Sequence, residues 1–217
     1  MRYPKEIILV RHGESEGNIL TCDERSVFNL STKDYPLTEK GKEQSKVVGK
    51  YLQKRYKNYD VSYVSFCKRT KQTMSIMFSE KEEVFCEDSR LSEVQRGIWH
   101  TMSQEEVDEN FPYEDRRRKR EGLYYYRPLG GENWPDLEIR IYNFIEYLCR
   151  EYSGKRVLLC VHGHWLIVFQ KIIHKFTIEE ALRRYRDCTA PNGSVTIYKY
   201  KNNSLQLTRD SFIPSLD

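Results

Sequence analysis

Apolar residues fall along this chain in short unbroken runs, separated by longer segments where they recur every third or fourth position. Glu6-Ile7-Ile8-Leu9-Val10 and Val157-Leu158-Leu159-Cys160-Val161 are runs of the kind that strands covered on both faces require. Val61-Ser62-Tyr63-Val64-Ser65 reads as another strand, and Glu83-Val84-Phe85 as a further one. Between them the spacing predicts a helix over 38–56, capped by Thr38, with Gly41, Val48, Tyr51 and Leu52 on one face, and a second helix over 69–78. Over 134–152 the residues Leu137, Ile141, Phe144, Ile145 and Leu148 share a helical face. There Asn133 suits the cap, Pro135 the first turn and Gly154 the exit. An apolar helix follows His162-Gly163-His164 as far as about residue 174. Two strand-like runs, 194–200 and 204–209, flank Lys201-Asn202-Asn203 and predict a hairpin at a sheet edge.

Strands alternating with helices imply an α/β fold of three layers, a mainly parallel sheet with helices on both faces. The 217 residues suffice for a single domain over 1–217 that buries its core without disulfide or metal staples. Residues 91–131 mix charge, glycine and the run Tyr124-Tyr125-Tyr126. They predict an insertion over the sheet edge that caps the ligand site.

Composition narrows the setting. No apolar run is long enough to cross a bilayer, and no leader reads as basic, then apolar, then small. The expectation is a soluble, cytoplasmic protein with no membrane partner. The cysteines Cys22, Cys67, Cys86, Cys149, Cys160 and Cys188 are scattered without a metal-binding spacing, so they read as free thiols. A net charge of +4 is too mild to imply nucleic acid. One basic run, Arg116-Arg117-Arg118-Lys119-Arg120, is flanked by Glu114, Asp115 and Glu121. It reads as a solvated helix face, with the steering of anions as the alternative.

Sheets of this kind bind ligands at the carboxyl ends of their strands. Arg11 and His12 follow the first run, Arg69 sits just past the second strand, and His162 follows the Val157 run. Two arginines and two histidines would thus share one rim. A phosphate monoester, with close to two negative charges and several acceptor oxygens, matches such a group. A neutral imidazole would serve as nucleophile without a separate activating base.

The segment Leu9-Val10-Arg11-His12-Gly13-Glu14-Ser15-Glu16-Gly17-Asn18 closely resembles the signature of the histidine phosphatase, or phosphoglycerate-mutase-like, superfamily. Ser65-Phe66-Cys67-Lys68-Arg69-Thr70, Leu91-Ser92-Glu93, Gly130-Gly131-Glu132-Asn133-Trp134 and Val161-His162-Gly163 resemble its later motifs, in the family's order. Tyr35-Pro36-Leu37-Thr38, Tyr124-Tyr125-Tyr126-Arg127 and Ala190-Pro191-Asn192-Gly193 resemble its short phosphatase-like branch. The resemblance implies that His12 is the nucleophile, that Arg11, Arg69 and His162 hold the phosphoryl group, and that Glu93 donates the leaving-group proton. It further implies that Asn18 and the Gly163 backbone help bind phosphate, that Glu132 contacts substrate or organises the pocket, and that no metal or organic cofactor is needed. The implied activity is hydrolysis of small phosphate monoesters.

Two readings compete with hydrolysis. One is a cofactor-dependent phosphoglycerate mutase, although Val94, Gln95 and Arg96 depart from the sequence expected there. The other is a non-catalytic phosphate-binding module, whose mark would be a lost nucleophile, arginine or acid. His164 forms a His-x-His pair with His162, but no further ligand follows at metal-site spacing. His100 and His174 read as structural. A Glu93 that starts the reaction protonated requires a raised pKa, and so an optimum on the acid side of neutrality.

Overall fold

The computed structural model describes residues 2–27, 30–79, 84–187 and 189–215. Six strands form one sheet: β1 (Glu6–Arg11), β2 (Val61–Val64), β3 (Cys86–Glu87), β4 (Arg156–Val161), β5 (Val195–Lys201) and β6 (Ser204–Phe212). Their order is β3-β2-β4-β1-β5-β6. β1 to β4 run parallel, and the β5–β6 hairpin pairs antiparallel along β1. The helices are α1 (Glu16–Ile19), α2 (Cys22–Val27), α3 (Glu39–Arg55), α4 (Lys68–Met77), α5 (Ile98–Thr101), α6 (Gln104–Asn110), α7 (Glu114–Tyr125), α8 (Trp134–Glu151), α9 (Gly163–His174) and α10 (Ile178–Asp187).

The continuous apolar runs are explained by burial on both faces. Ile7 and Leu9 of β1, with Val157, Leu159 and Val161 of β4, meet α8, α9 and α10 through Ile141, Phe144, Trp165 and Ala181. Ile8, Val10, Leu158 and Cys160 point the other way, onto Val48 and Leu52 of α3 and Met74 and Met77 of α4. Three layers result. Burial pushes the Cys160 thiol far up and the Cys149 thiol up to about 11, so both behave as small hydrophobes. Cys67, Cys86, Cys149 and Cys160 are free, whereas Cys188 and the side chain of Cys22 lie outside the described residues.

Local signals act where expected. Thr38 Oγ1 accepts from the Gly41 N–H at 3.0 Å, and Asn133 Oδ1 from the Asp136 N–H at 2.9 Å. The strand expected at 83–85 lies instead at Cys86–Glu87, and Glu83 falls outside the described residues. Only two residues pair there, too few for an apolar pattern to mark them. α10 was not expected from hydrophobic spacing, because charge dominates it. Its signal is the capping box, in which Thr177 Oγ1 accepts from the Glu180 N–H at 3.2 Å and Glu180 Oε2 from the Thr177 N–H at 2.8 Å.

Candidate active site

His12 leaves the sheet where β1 ends, and backbone bonds on both sides fix it. Its N–H donates to Val161 O at 3.1 Å, beside the end of β4, while its carbonyl accepts from the Gly193 N–H at 3.1 Å. The next residue, Gly13, donates its N–H to Thr73 Oγ1 on α4 at 3.1 Å. Backbone packs directly on backbone here: a Cβ on Gly13 would lie 2.3 Å from Gly41 O, and one on Gly41 would lie 1.9 Å from Glu14 O. The first turn of α3 therefore buttresses the loop that carries His12.

The proton positions follow from donor chemistry. His12 Nδ1 lies 2.7 Å from Gly13 O, which only accepts, so Nδ1 carries the hydrogen. The lone pair is then on Nε2, where Arg69 Nε donates at 3.3 Å. Arg69 Nη2 lies 3.1 Å from His162 Nδ1, and a guanidinium only donates, so His162 carries its hydrogen on Nε2. The third arm, Nη1, donates to Thr32 O at 2.8 Å. One guanidinium thus holds both imidazoles, whose ring centres are 5.0 Å apart. Burial, then Arg69 and its neighbours, hold both histidines well below the ordinary imidazole pKa, so both rings are neutral at neutral pH.

Arg11 donates through Nη1 to Ala190 O, and its guanidinium lies against Gly163, where a Cβ would sit 3.3 Å from Arg11 Cζ. Arg11 Nε and His162 Nε2 are buried N–H groups without a partner among the described residues. Each costs on the order of 1–3 kcal/mol while unpaired, and an anion bound beside them recovers that cost.

Glu93 faces this cluster from the segment after β3. Oε1 accepts from the Val94 N–H at 3.0 Å and Oε2 from the His164 N–H at 3.3 Å, while His164 Nδ1 lies 3.6 Å from Oε2. The expectation of a raised pKa is corrected here. Burial pushes the carboxyl up, but the pull of His164 and the Val94 N–H holds it well below the usual carboxylate range. His164, set aside in the sequence as half of a metal-like pair, is the partner of this carboxylate.

A cavity of about 110 Å³ opens onto His12, Arg11, Arg69 and Glu93. Its wall also carries Arg25, Lys33 and Arg96, with Glu93 the one acid among its described lining residues. Asn18 lines it too, and its Oδ1 accepts from Ser15 N–H and Oγ–H at 3.0 Å each and from Asn192 Nδ2 at 3.2 Å. Those contacts leave the NH2 end to serve as donor. His100, expected to be structural, stands in the wall, where burial and then Arg25, Arg96 and Arg69 lower its pKa to about 4. His174 bonds the Tyr198 hydroxyl at 2.8 Å, away from the site.

Glu132 does not reach the phosphate cavity. Arg140 holds its two oxygens at 2.8 and 2.9 Å, and Oε2 accepts from the Gln95 N–H at 3.1 Å. A guanidinium eight residues along thus holds it, and it in turn holds the 93–96 strip. Tyr124 and Tyr126 are buried, giving their hydroxyl protons to Glu138 and Glu114 at 2.6 Å, and Tyr125 is exposed. Asn192, which donates to His12 O at 3.1 Å, was visible in the sequence only as part of Ala190-Pro191-Asn192-Gly193.

Comparison with known proteins agrees with this geometry. Residues 7–211 match the histidine phosphatase superfamily (branch 1). The chain is 34% identical over 158 residues to phosphoserine phosphatase 1 of Hydrogenobacter thermophilus, covering 72% of this chain and 70% of that protein. It is 27% identical over 202 residues to the 2,3-bisphosphoglycerate-dependent phosphoglycerate mutase of Rhizobium etli, covering 89% and 90%. In fold it superimposes on YhfR of Bacillus stearothermophilus with a TM-score of 0.77 at 23% identity, over 95% of this chain and 96% of that one.

Proposed function

This chain belongs to the histidine phosphatase superfamily, and from that premise we propose that it hydrolyses phosphate monoesters of small alcohols through a phosphohistidine on His12. The observation that carries the reading is the uncharged Nε2 of His12, buried between the guanidiniums of Arg11 and Arg69 with its lone pair free of a proton. Fixed positive charge from Arg69 and Arg11 surrounds this neutral ring.

In the first half-reaction Nε2 attacks phosphorus, and the N–P bond forms as the P–O bond to the alcohol breaks. Phosphoryl oxygens take over the Arg69 Nε–H that the free enzyme spends on Nε2, and they also meet the unpaired N–H groups of Arg11 and His162. Glu93 passes a proton to the departing oxygen. It is ionised in the free enzyme, so that proton arrives with the substrate, whose second ionisation lies near pH ~6. In the second half-reaction Glu93 takes a proton from water as the water oxygen attacks phosphorus and the N–P bond breaks, and the proton leaves Glu93 with the inorganic phosphate, restoring the ionised carboxylate.

The reading is tested by rapidly quenching turnover of O-phosphoserine and analysing the peptide that contains His12 by mass spectrometry. A phosphoryl adduct on His12 that decays to free phosphate is expected; its absence during active turnover overturns the assignment. The mutase relative supplies the second arm of the test. Incubation with 3-phosphoglycerate and a bisphosphoglycerate primer distinguishes transfer to a second alcohol from transfer to water.

A further inference from the structure

Across the strip Val94-Gln95-Arg96 lies a second cavity of about 210 Å³, which shares those three residues with the phosphate cavity. Trp99, Leu123, Tyr126, Trp134 and Tyr185 form its body. The wall is braced, because Trp99 Nε1 donates to the Tyr126 hydroxyl at 2.6 Å and that hydroxyl donates to Glu114 Oε2 at 2.6 Å. His164 lines this cavity as well and touches Glu93 in the first, so the proton donor and the aromatic space are one side chain apart.

The charge facing this space is not balanced. Its carboxylate, Glu132, is spent on Arg140. The basic run at 116–120 behaves mostly as a solvated helix face: Arg117 pairs with Glu114 at 2.7 Å and Glu121 at 3.1 Å, Lys119 with Asp115 at 2.6 Å, and Arg120 with Glu121 at 3.8 Å. Arg118 differs. Its guanidinium lies 5.0 Å over the Trp99 ring, in the cavity wall, and neither it nor Arg96 forms an ion pair among the described residues. An aromatic shelf with two unspent guanidiniums suits a flat organic anion, which stacks on the ring and leaves its charge to arginine.

We propose that this second cavity receives the alcohol part of the substrate, and that the substrate class is phosphate monoesters whose alcohol is a flat, largely apolar body bearing a second negative group. The proposal rests on the phosphatase reading of His12. With phosphorus at His12, the leaving oxygen lies at Glu93 and the alcohol extends past Val94 and Arg96, so its ring lies on Trp99 and its anion meets Arg118. A small polar alcohol gains nothing from these walls.

The test compares 4-carboxyphenyl phosphate with phenyl phosphate, in wild type, Arg118→Gln and Arg120→Gln. Loss of one charge-assisted contact is expected to lower the ratio of kcat/KM for the carboxylated over the plain substrate about tenfold in Arg118→Gln. Arg120→Gln, whose side chain pairs with Glu121 and is not among the residues lining the cavity, should leave that ratio as in wild type. An unchanged ratio in Arg118→Gln, or an equal fall in both variants, overturns the proposal. Calorimetric binding of the product 4-hydroxybenzoate provides a readout without turnover. If wild type hydrolyses neither substrate yet binds this product about tenfold more tightly than Arg118→Gln does, the phosphatase reading fails and the cavity assignment stands. If it hydrolyses both but the product binds wild type and variant alike, the reverse holds.

Discussion

The two cavities lie against the same three residues, yet the phosphate end and the outer wall are held by different physics. His12, Arg11 and His162 stand where β1 and β4 end, in strands buried on both faces, and the loop after His12 packs backbone on backbone with α3. Part of the outer wall comes from α5, α6 and α7, of four, seven and twelve residues, and is completed by Trp134 of α8 and Tyr185 of α10. Such lengths are marginal as isolated helices, and side chains fasten them: Trp99 to Tyr126, Tyr126 to Glu114, Glu132 to Arg140 and Gln95. α7 even breaks at Gly122, which adopts φ 71 and ψ 162. The first cavity is anchored through the sheet, the outer wall mostly through side-chain pairs.

That contrast is most sharply exposed by His12→Ala, which should lower kcat by about ten-thousandfold or more while leaving the thermal midpoint nearly unchanged. A variant with residual activity within about a hundredfold of wild type would place the nucleophile elsewhere. Next in size is Glu93→Gln, expected to cost about a thousandfold in kcat, and least for substrates with good leaving groups such as 4-nitrophenyl phosphate. For wild type, kcat/KM should fall as pH rises above ~6, because the needed proton arrives with the substrate monoanion. A rate still climbing into alkaline pH would remove Glu93 from its role.

A third effect comes from the buried histidines, with His12 and His162 at the base of the cavity and His100 in its wall contributing in the same direction. The pKa values of His12 and His162 are depressed in the folded state, so below about pH 6.5 the unfolded chain binds protons that the folded chain refuses. Stability is therefore complete above that pH and declines as pH falls, by up to about 1.4 kcal/mol per pH unit for each histidine. Thermal melts between about pH 7 and 5 should show this slope, flattened in variants that replace either ring by Gln or Asn. The smallest effect is expected in the wall: Arg140→Ala frees Glu132 and loosens the 93–96 strip, lowering kcat/KM about tenfold with the His12 adduct still formed. Should it match His12→Ala in severity, the base of the cavity and the outer wall would not be separable.

The sequence was most legible where local pattern and tertiary role coincide. Contiguous apolar runs marked β1 and β4 because both of their faces are covered, and Arg11, His12 and His162 stand at their carboxyl ends. The short β3 offered no such run, and the charged α10 was readable only through Thr177 and Glu180. The wall was the least legible part, since its logic lies in pairs distant along the chain. Glu132 was expected to contact substrate or organise the pocket, but its pairing with Arg140 could not be read from spacing, and Arg25, Lys33 and His100 reach the cavity from segments with no pattern of their own. Glu93 was recognised, yet its ionisation depends on His164, seventy-one residues away.

Arg69 has no acceptor to offer, and both imidazoles must turn a lone pair toward it. Tautomer choice at two rings is thereby dictated by a cation, where hydrolytic triads use a buried carboxylate for one. The base of the cavity is thus made of neutral rings and fixed cations, and His12 Nε2 keeps a lone pair with no hydrogen to lose.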